Sequence, residues 1–162
     1  MKDVVEIKEK ELDKYDRLIL KYLQEDGSIS NLELSKRIGL APSSCLIRTK
    51  NLRDNGIIRK TSIMVDEKKL GYGIVAFARV NVEKLTREIS DNFVETIKAI
   101  PEVVECYTIT GDGSFLIKVV AKDLKEYRDF VVDKIMAIDH VSSVVSSLVA
   151  DQNKTSTVIP LE

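Results

Sequence analysis

Apolar residues recur at intervals of three and four along the first third of the chain, and short apolar runs alternate with longer periodic stretches after residue 73. In residues 13–25, DKYDRLILKYLQE, the positions Tyr15, Leu18, Ile19, Tyr22 and Leu23 fall on one helical face, and Asp26-Gly27 stops the pattern. Ser30 is the expected N-cap of a short helix, NLELSKRI, anchored by Leu34 and Ile38 with Leu32 on a neighbouring edge; Gly39 ends it. Pro42 suits a first helical turn, so the next helix is expected over residues 42–55, with Leu46 and Leu52 as its core anchors. Two short helices joined by a Gly-containing turn have helix-turn-helix geometry, in which the second helix can enter a major groove. An ordinary helical hairpin with a polar outer face fits the same pattern. Residues 57–65, IIRKTSIMV, are rich in β-branched side chains and read as a strand or wing.

The second half follows another rhythm. Residues 74–82 read as a strand, 86–100 as a helix with Ile89, Phe93, Ile97 and Ile100 in line, and Pro101 as its stop. Strands are expected over 103–110 and 114–121, then a helix over 124–138 and a last strand over 141–149. The order βαββαβ is the ferredoxin-like split motif. The expected fold is therefore α+β, with an N-terminal winged helix-turn-helix domain and a C-terminal ferredoxin-like domain. The expected boundaries are an extension over 1–12, the first domain over 13–66, a connector over 67–73, the second domain over 74–151 and a tail over 152–162. FLIKVV (115–120) and IVAFA (74–78) are apolar on both faces, yet the two helices of such a fold cover one side of the sheet. A second copy is the simplest cover for the other side, which predicts a two-fold homodimer.

Charge alters the picture only when it is read locally. The whole chain carries a formal charge of −1. Residues 31–63 hold seven basic side chains against two acidic ones, while residues 67–162 hold twelve against fifteen. A basic patch in a near-neutral whole is the electrostatic footprint of a DNA-binding module, although a solvated lysine-rich surface has the same charge. No apolar run is long enough for a membrane span and no leading signal segment is present, so a cytoplasmic protein with no membrane partner is expected. Cys45 and Cys106 lack CxxC or Cys/His spacing, so neither a metal site nor a disulfide is expected.

On the second helix, Ser43, Ser44, Ile47, Arg48, Lys50 and Asn51 lie off the Leu46/Leu52 line. Serines near a helix start can bind phosphate, and Arg and Asn can pair with guanine and adenine edges. Arg59 and Lys60 sit where a wing would graze the backbone. The stretch from residue 12 to 58 closely resembles the helix-turn-helix of the Lrp/AsnC (leucine-responsive, feast/famine) regulators. The resemblance rests on Asp16-Arg17 with Ile19-Leu20, Asp26-Gly27-Ser28-Ile29-Ser30, Glu33-Leu34-Ser35, Gly39-Leu40-Ala41-Pro42-Ser43, Cys45, Leu46, Arg48, Leu52 and Gly56-Ile57-Ile58. Ile47 departs from it, because the family often has a charged or polar residue there.

The second half resembles the ligand-sensing domain of that family. The resemblance implies double-stranded DNA as partner, dimers that associate into tetramers or octamers, and an amino acid or related small metabolite bound between dimers. It places the effector at the turn Thr110-Gly111-Asp112-Gly113-Ser114 with Tyr107 and Ser146. A turn with available backbone N–H groups can hold a carboxylate, and an acidic or hydroxyl side chain can meet an amino group. A simple hairpin turn at an oligomer interface is the competing reading of those residues. Family members commonly carry a second aspartate at the position of Ser114, and threonines at Val144 and Ser146.

No Ser/His/Asp set, phosphate-cradling glycine loop or carboxylate cluster stands out, so the expectation is a sequence-specific transcription regulator, not an enzyme, with no cofactor. One alternative is an architectural DNA-binding protein that needs no effector. Another is an enzyme resembling the siroheme decarboxylases, which use histidines on the same scaffold; this chain has one, His140.

Overall fold

A computed structural model describes residues 12–111 and 113–161, which divide into two compact units. The first takes the described residues up to Met64 together with those from Lys154 onward, and the second spans Val65–Asn153.

The first unit is a three-helix cluster: α1 (Lys14–Glu25), α2 (Asn31–Ile38) and α3 (Pro42–Asp54). Each helix start follows from local chemistry. The Asp13 carboxylate accepts from the N–H groups of Tyr15 and Asp16, and the Ser30 hydroxyl accepts from Glu33 N–H. Gly39, at φ 70°, closes α2 in the left-handed region that favours glycine. The Asn31 side chain donates to the Pro42 carbonyl at 2.9 Å, tying the start of α2 to the start of α3. Ile19, Leu20, Leu34, Ile38, Cys45 and Leu52 form the buried core.

The phase of α3 differs from expectation by one position. Cys45, Thr49 and Leu52 are its buried residues, whereas Leu46, expected as a core anchor, is 56% exposed. The physical reason is spacing. Positions 45, 49 and 52 are four and three apart and share a face, whereas 46 and 52 do not. Burial also pushes the Cys45 thiol up, leaving little of the reactive thiolate.

The expected strand or wing over 57–65 carries no strand pairing. The N–H groups of Ile57 and Ile58 both turn back to the Leu52 carbonyl at 3.0 Å, and Ile63 and Met64 lie exposed. Extended propensity alone makes no strand where no neighbouring strand supplies a ladder. The C-terminal segment, assigned only as a tail from the sequence, packs on α1. The Gln24 side-chain amide donates to the Ile159 carbonyl at 3.2 Å and accepts from Ile159 N–H at 2.7 Å.

The second unit is a four-stranded antiparallel sheet of β1 (Ile74–Val82), β2 (Val103–Thr108), β3 (Phe115–Ala121) and β4 (Val141–Leu148), in the order β2-β3-β1-β4. The helices α4 (Arg87–Lys98) and α5 (Leu124–Phe130) connect the strands in the expected βαββαβ sequence. Ala76, Ala78 and Val80 pair in register with Val119, Ile117 and Phe115, giving one buried face. Phe93 of α4 stacks on Phe115 with ring centroids 4.1 Å apart, and Ile97, Tyr127, Phe130 and Ile135 complete the layer. The helix expected over 124–138 changes character midway. After Phe130 it widens into a π-helical turn, Val131–Ile135, with Met136 N–H reaching the Val131 carbonyl at 2.9 Å. That turn helps place Phe130 and Ile135, five residues apart, in the same core, which regular α geometry does not favour.

The opposite sheet face carries Val75, Phe77, Leu116, Val120 and Val145 in alternation with Arg79, Asn81, Glu105 and Lys118. Phe77 is 37% and Val145 48% exposed, so apolar surface faces outward as expected. It is not continuous, because Arg79 sits between Leu116 and Val145, and Lys118 pairs with Glu105 at 3.5 Å.

The phase of α3 is checked by two substitutions followed by chemical denaturation. Leu52→Ala is expected to cost about 2–5 kcal/mol, as for a large core truncation. Leu46→Ala is expected to stay within about 0.5 kcal/mol of wild type, as for an exposed site. The reverse ranking would show that the phase is wrong.

Candidate nucleic-acid interface

With Cys45, Thr49 and Leu52 turned inward, the opposite side of α3 is fixed. Ser43, Ser44, Ile47, Lys50 and Asn51 are all exposed there, and Asp54 joins them only at the C-terminal end. Ala41 caps α3 without a side-chain hydrogen bond, so the N–H groups of the first turn, next to Ser43 and Ser44, are not covered by a capping side chain. An uncapped helix start flanked by hydroxyls suits a phosphate oxygen. The helix then presents an ammonium and an amide about two turns further along, which suits base edges and backbone.

Arg48 stands apart from that set. Its guanidinium bonds the Asp13 carboxylate at 2.7 Å and the Asp16 carboxylate at 2.9 Å, and lies 5.5 Å from the Tyr15 ring centroid. Hydrogen bonds from the Asp16 and Tyr15 N–H groups and from Arg48 hold the Asp13 carboxyl below its ordinary range. The two acids in turn push the guanidinium pKa further up. This is a tether between α1 and α3, and it holds the guanidinium at the α1-facing edge of the exposed side, where Arg48 lines one hollow with Ser44, Ile47 and Asn51. The sequence signal for it was the Asp13/Asp16 pair, one turn apart on α1. Arg59 and Lys60 are exposed in the irregular segment after α3, so no strand presents them.

The residues named for an effector do not converge within one chain. Tyr107 is on β2 and Ser146 on β4, the two opposite edges of the sheet. They also point to opposite faces. Tyr107 pairs with Leu116 on the open face and its hydroxyl donates to Glu105 at 2.7 Å. Ser146 pairs with Ala78 on the helix side, where its hydroxyl accepts from the Tyr127 hydroxyl at 2.7 Å. Thr110 and Gly111 are exposed, and Asp112 lies outside the described residues. The Ser114 N–H donates to the Val80 carbonyl at 3.1 Å, so that donor is taken by the sheet.

A different group gathers at this turn. Arg79, Asn81, Gly111, Gly113 and Val145 line one open hollow. Gly111 and Gly113 have φ of 102° and 117°, and a Cβ on Gly113 would lie 3.5 Å from Asn81 Oδ1. Arg79 makes no ion pair among the described residues. Arg79 and Asn81 were missed from the sequence, although strict alternation with Ala78, Val80 and Val82 in IVAFARVNV puts them on the open face.

His140, the one histidine, lies in a turn with φ 67°, and its carbonyl accepts from Glu83 N–H at 3.0 Å. No group of three or more metal-ligating side chains occurs among the described residues, nor does any described helix have the length and apolarity to cross a membrane.

Comparison with known proteins matches two separate profiles to the chain. A family profile described as the Lrp/AsnC ligand binding domain matches residues 75–159, and one described as winged helix-turn-helix DNA-binding matches residues 12–59. The transcriptional regulator AzlB of Bacillus subtilis is 48% identical over 151 residues, covering 93% of this chain and 96% of that protein. The leucine-responsive regulatory protein of Escherichia coli is 31% identical over 147 residues, covering 91% and 90%. Among solved structures, a transcriptional regulator of Neisseria meningitidis in complex with L-Met superposes with a TM-score of 0.87 at 35% identity, covering 92% of this chain and 96% of that one. With a ligand-domain profile over more than half of its length and a relative sharing nearly half of its residues, the chain belongs to the Lrp/AsnC family of transcriptional regulators, and carries a DNA-binding helix-turn-helix and a ligand-binding domain.

Proposed function

We propose that this regulator reads duplex DNA with Ser43, Ser44, Ile47, Lys50 and Asn51 of α3, and that Arg48 positions the helix without itself touching a base. The observation that carries the reading is the outward side of α3, where hydroxyls, an ammonium and an amide are exposed together and the flanking guanidinium is held by α1. Arg59 and Lys60 add phosphate contacts from the segment that follows. The protein acts as a two-fold homodimer paired through the open sheet face, whose apolar residues Phe77 and Val145 are exposed in the single chain. Two copies of α3 then address half-sites about one helical turn apart, or a multiple of that. Further association of dimers into tetramers or octamers builds on that unit.

The effector is a free amino acid, held between dimers at the glycine turn. The Neisseria relative solved with L-Met supports this class. Arg79 offers a charge for the carboxylate, and Thr110, Gly111, Asp112 and Ser114 supply the turn. Tyr107 and Ser146 join only if neighbouring chains contribute one each, because a single chain keeps them on opposite edges. The protein is a regulator without catalytic activity, working in the cytoplasm where its DNA is. A lone histidine in a left-handed turn gives little basis for the histidine chemistry of the siroheme decarboxylases.

Binding to duplexes selected from a random pool tests the first part. Log affinity is expected to fall linearly with log salt at about −0.9 per phosphate neutralised. Asn51→Ala is expected to lose about 1–3 kcal/mol of discrimination at one base position. Arg48→Ala, in contrast, is expected to weaken all sequences alike and to lower the melting temperature. Loss of preference at one base in Arg48→Ala, with the melt unchanged, would return Arg48 to the readers. In sedimentation, the wild type is expected to be dimeric or larger and Phe77→Glu to shift toward monomer; a monomeric wild type would refute the pairing. Thermal melts against all twenty amino acids are expected to show stabilisation by at least one, abolished in Arg79→Ala. No response to any of them would leave the effector-independent architectural reading in its place.

A further inference from the structure

We infer that Ile47 reads the C5-methyl group of thymine, so that an A·T pair at the centre of each half-site is recognised through an apolar contact. This rests on the proposed binding of duplex DNA by α3 and goes beyond it by naming a chemical feature of the DNA that one side chain selects.

The argument begins with the helix phase. Cys45, Thr49 and Leu52 define the buried direction of α3. Ile47 lies about 160° around the helix from that direction, at roughly 100° per residue. Its neighbours at three and four positions before and after are Ser44, Ser43, Lys50 and Asn51, all exposed. Ile47 is therefore the middle of the outward face and is itself 60% exposed.

A single exposed apolar side chain on a protein surface normally needs no account. This one is a large β-branched residue with hydrogen-bonding groups one turn before and one turn after it, on the element that enters the groove in the proposed reading. A buried groove position occupied by Ile must meet something apolar or leave a polar base edge without a partner. The thymine methyl is the one apolar group of any size on the base edges of the major groove; apart from the small cytosine C5–H, the other edges present donors and acceptors. Asn51, one turn further on the same face, has the donor–acceptor pair that matches adenine. Both point to A·T pairs at the heart of the half-site. Leu46 is also exposed, at 56%, but lies a quarter-turn or more to the side and flanks the reading face.

The test removes the methyl group and nothing else. Duplexes bound by the full-length protein are selected from a random pool, and each thymine of the selected site is then replaced by uracil in both half-sites. The wild type is expected to lose roughly fourfold per half-site, or ten- to twentyfold for both, at one thymine position, as for the loss of one buried methyl. Ile47→Ala is expected to bind the thymine duplex more weakly by a similar factor and to show no further loss with uracil at that position. Leu46→Ala is expected to keep the full thymine–uracil difference. Equal binding of thymine and uracil duplexes by the wild type at every position overturns the inference, as does an undiminished difference in Ile47→Ala. These outcomes leave DNA binding itself intact. Failure to hold any selected duplex removes the proposed function instead, and the inference with it.

Discussion

In the proposed reading, the rotation of one helix about its own axis decides what this protein presents to DNA. Cys45, Thr49 and Leu52 lock α3 against the core of the first unit, and the Arg48 guanidinium bonds the N-cap and a first-turn acid of α1 from the edge of that face. Packing sets the coarse phase, since burying an apolar face is the dominant favourable term. The charged bridge adds direction, because a guanidinium held by two carboxylates fixes where the helix edge sits more narrowly than apolar contact does. Ser43, Ser44, Ile47, Lys50 and Asn51 face outward as a consequence. A change of one residue in that phase would bury Leu46 and replace Ile47 as the middle of the outward face.

The second unit obeys a comparable constraint, set by strand order. With β2 and β4 at opposite edges, no ligand smaller than the sheet can touch Tyr107 and Ser146 of the same chain. The chain does bring Arg79 and Asn81 to the glycine turn, on the face that the helices leave open. Charge and apolar surface thus share that face, with Arg79 between Leu116 and Val145. In the proposed assembly, the apolar part joins two copies and the cationic part at the turn is left for an acidic group.

Most of the architecture was legible in the sequence because local signals and the global fold agree. Ser30 and Gly39 bound α2, Pro42 opens α3, and the βαββαβ order follows from alternating periodicities. The misreadings share a cause. Leu46 was taken for a core residue because hydrophobicity was weighed by residue name, while Cys45 and Thr49, less obviously apolar, had the helical spacing. Residues 57–65 have strand composition, but a ladder needs a partner that composition does not reveal. The bridge from Arg48 to Asp13 and Asp16 escapes a local reading because those acids lie thirty-five and thirty-two residues earlier. Tyr107 and Ser146 of one chain come apart for the same reason, since residues from one motif can lie on different faces and edges once strands are ordered. Local chemistry could be read from the sequence; pairing across distance required the fold.

The central claim is that α3 meets duplex DNA with Ile47 at the middle of its contact and Arg48 held behind it. A crystal structure of the protein on a selected duplex tests that most directly. The account predicts Ile47 and Asn51 in the major groove with the Arg48 bridge to Asp13 and Asp16 intact. A duplex lying against another surface, or Arg48 swung from α1 onto a base, would contradict it.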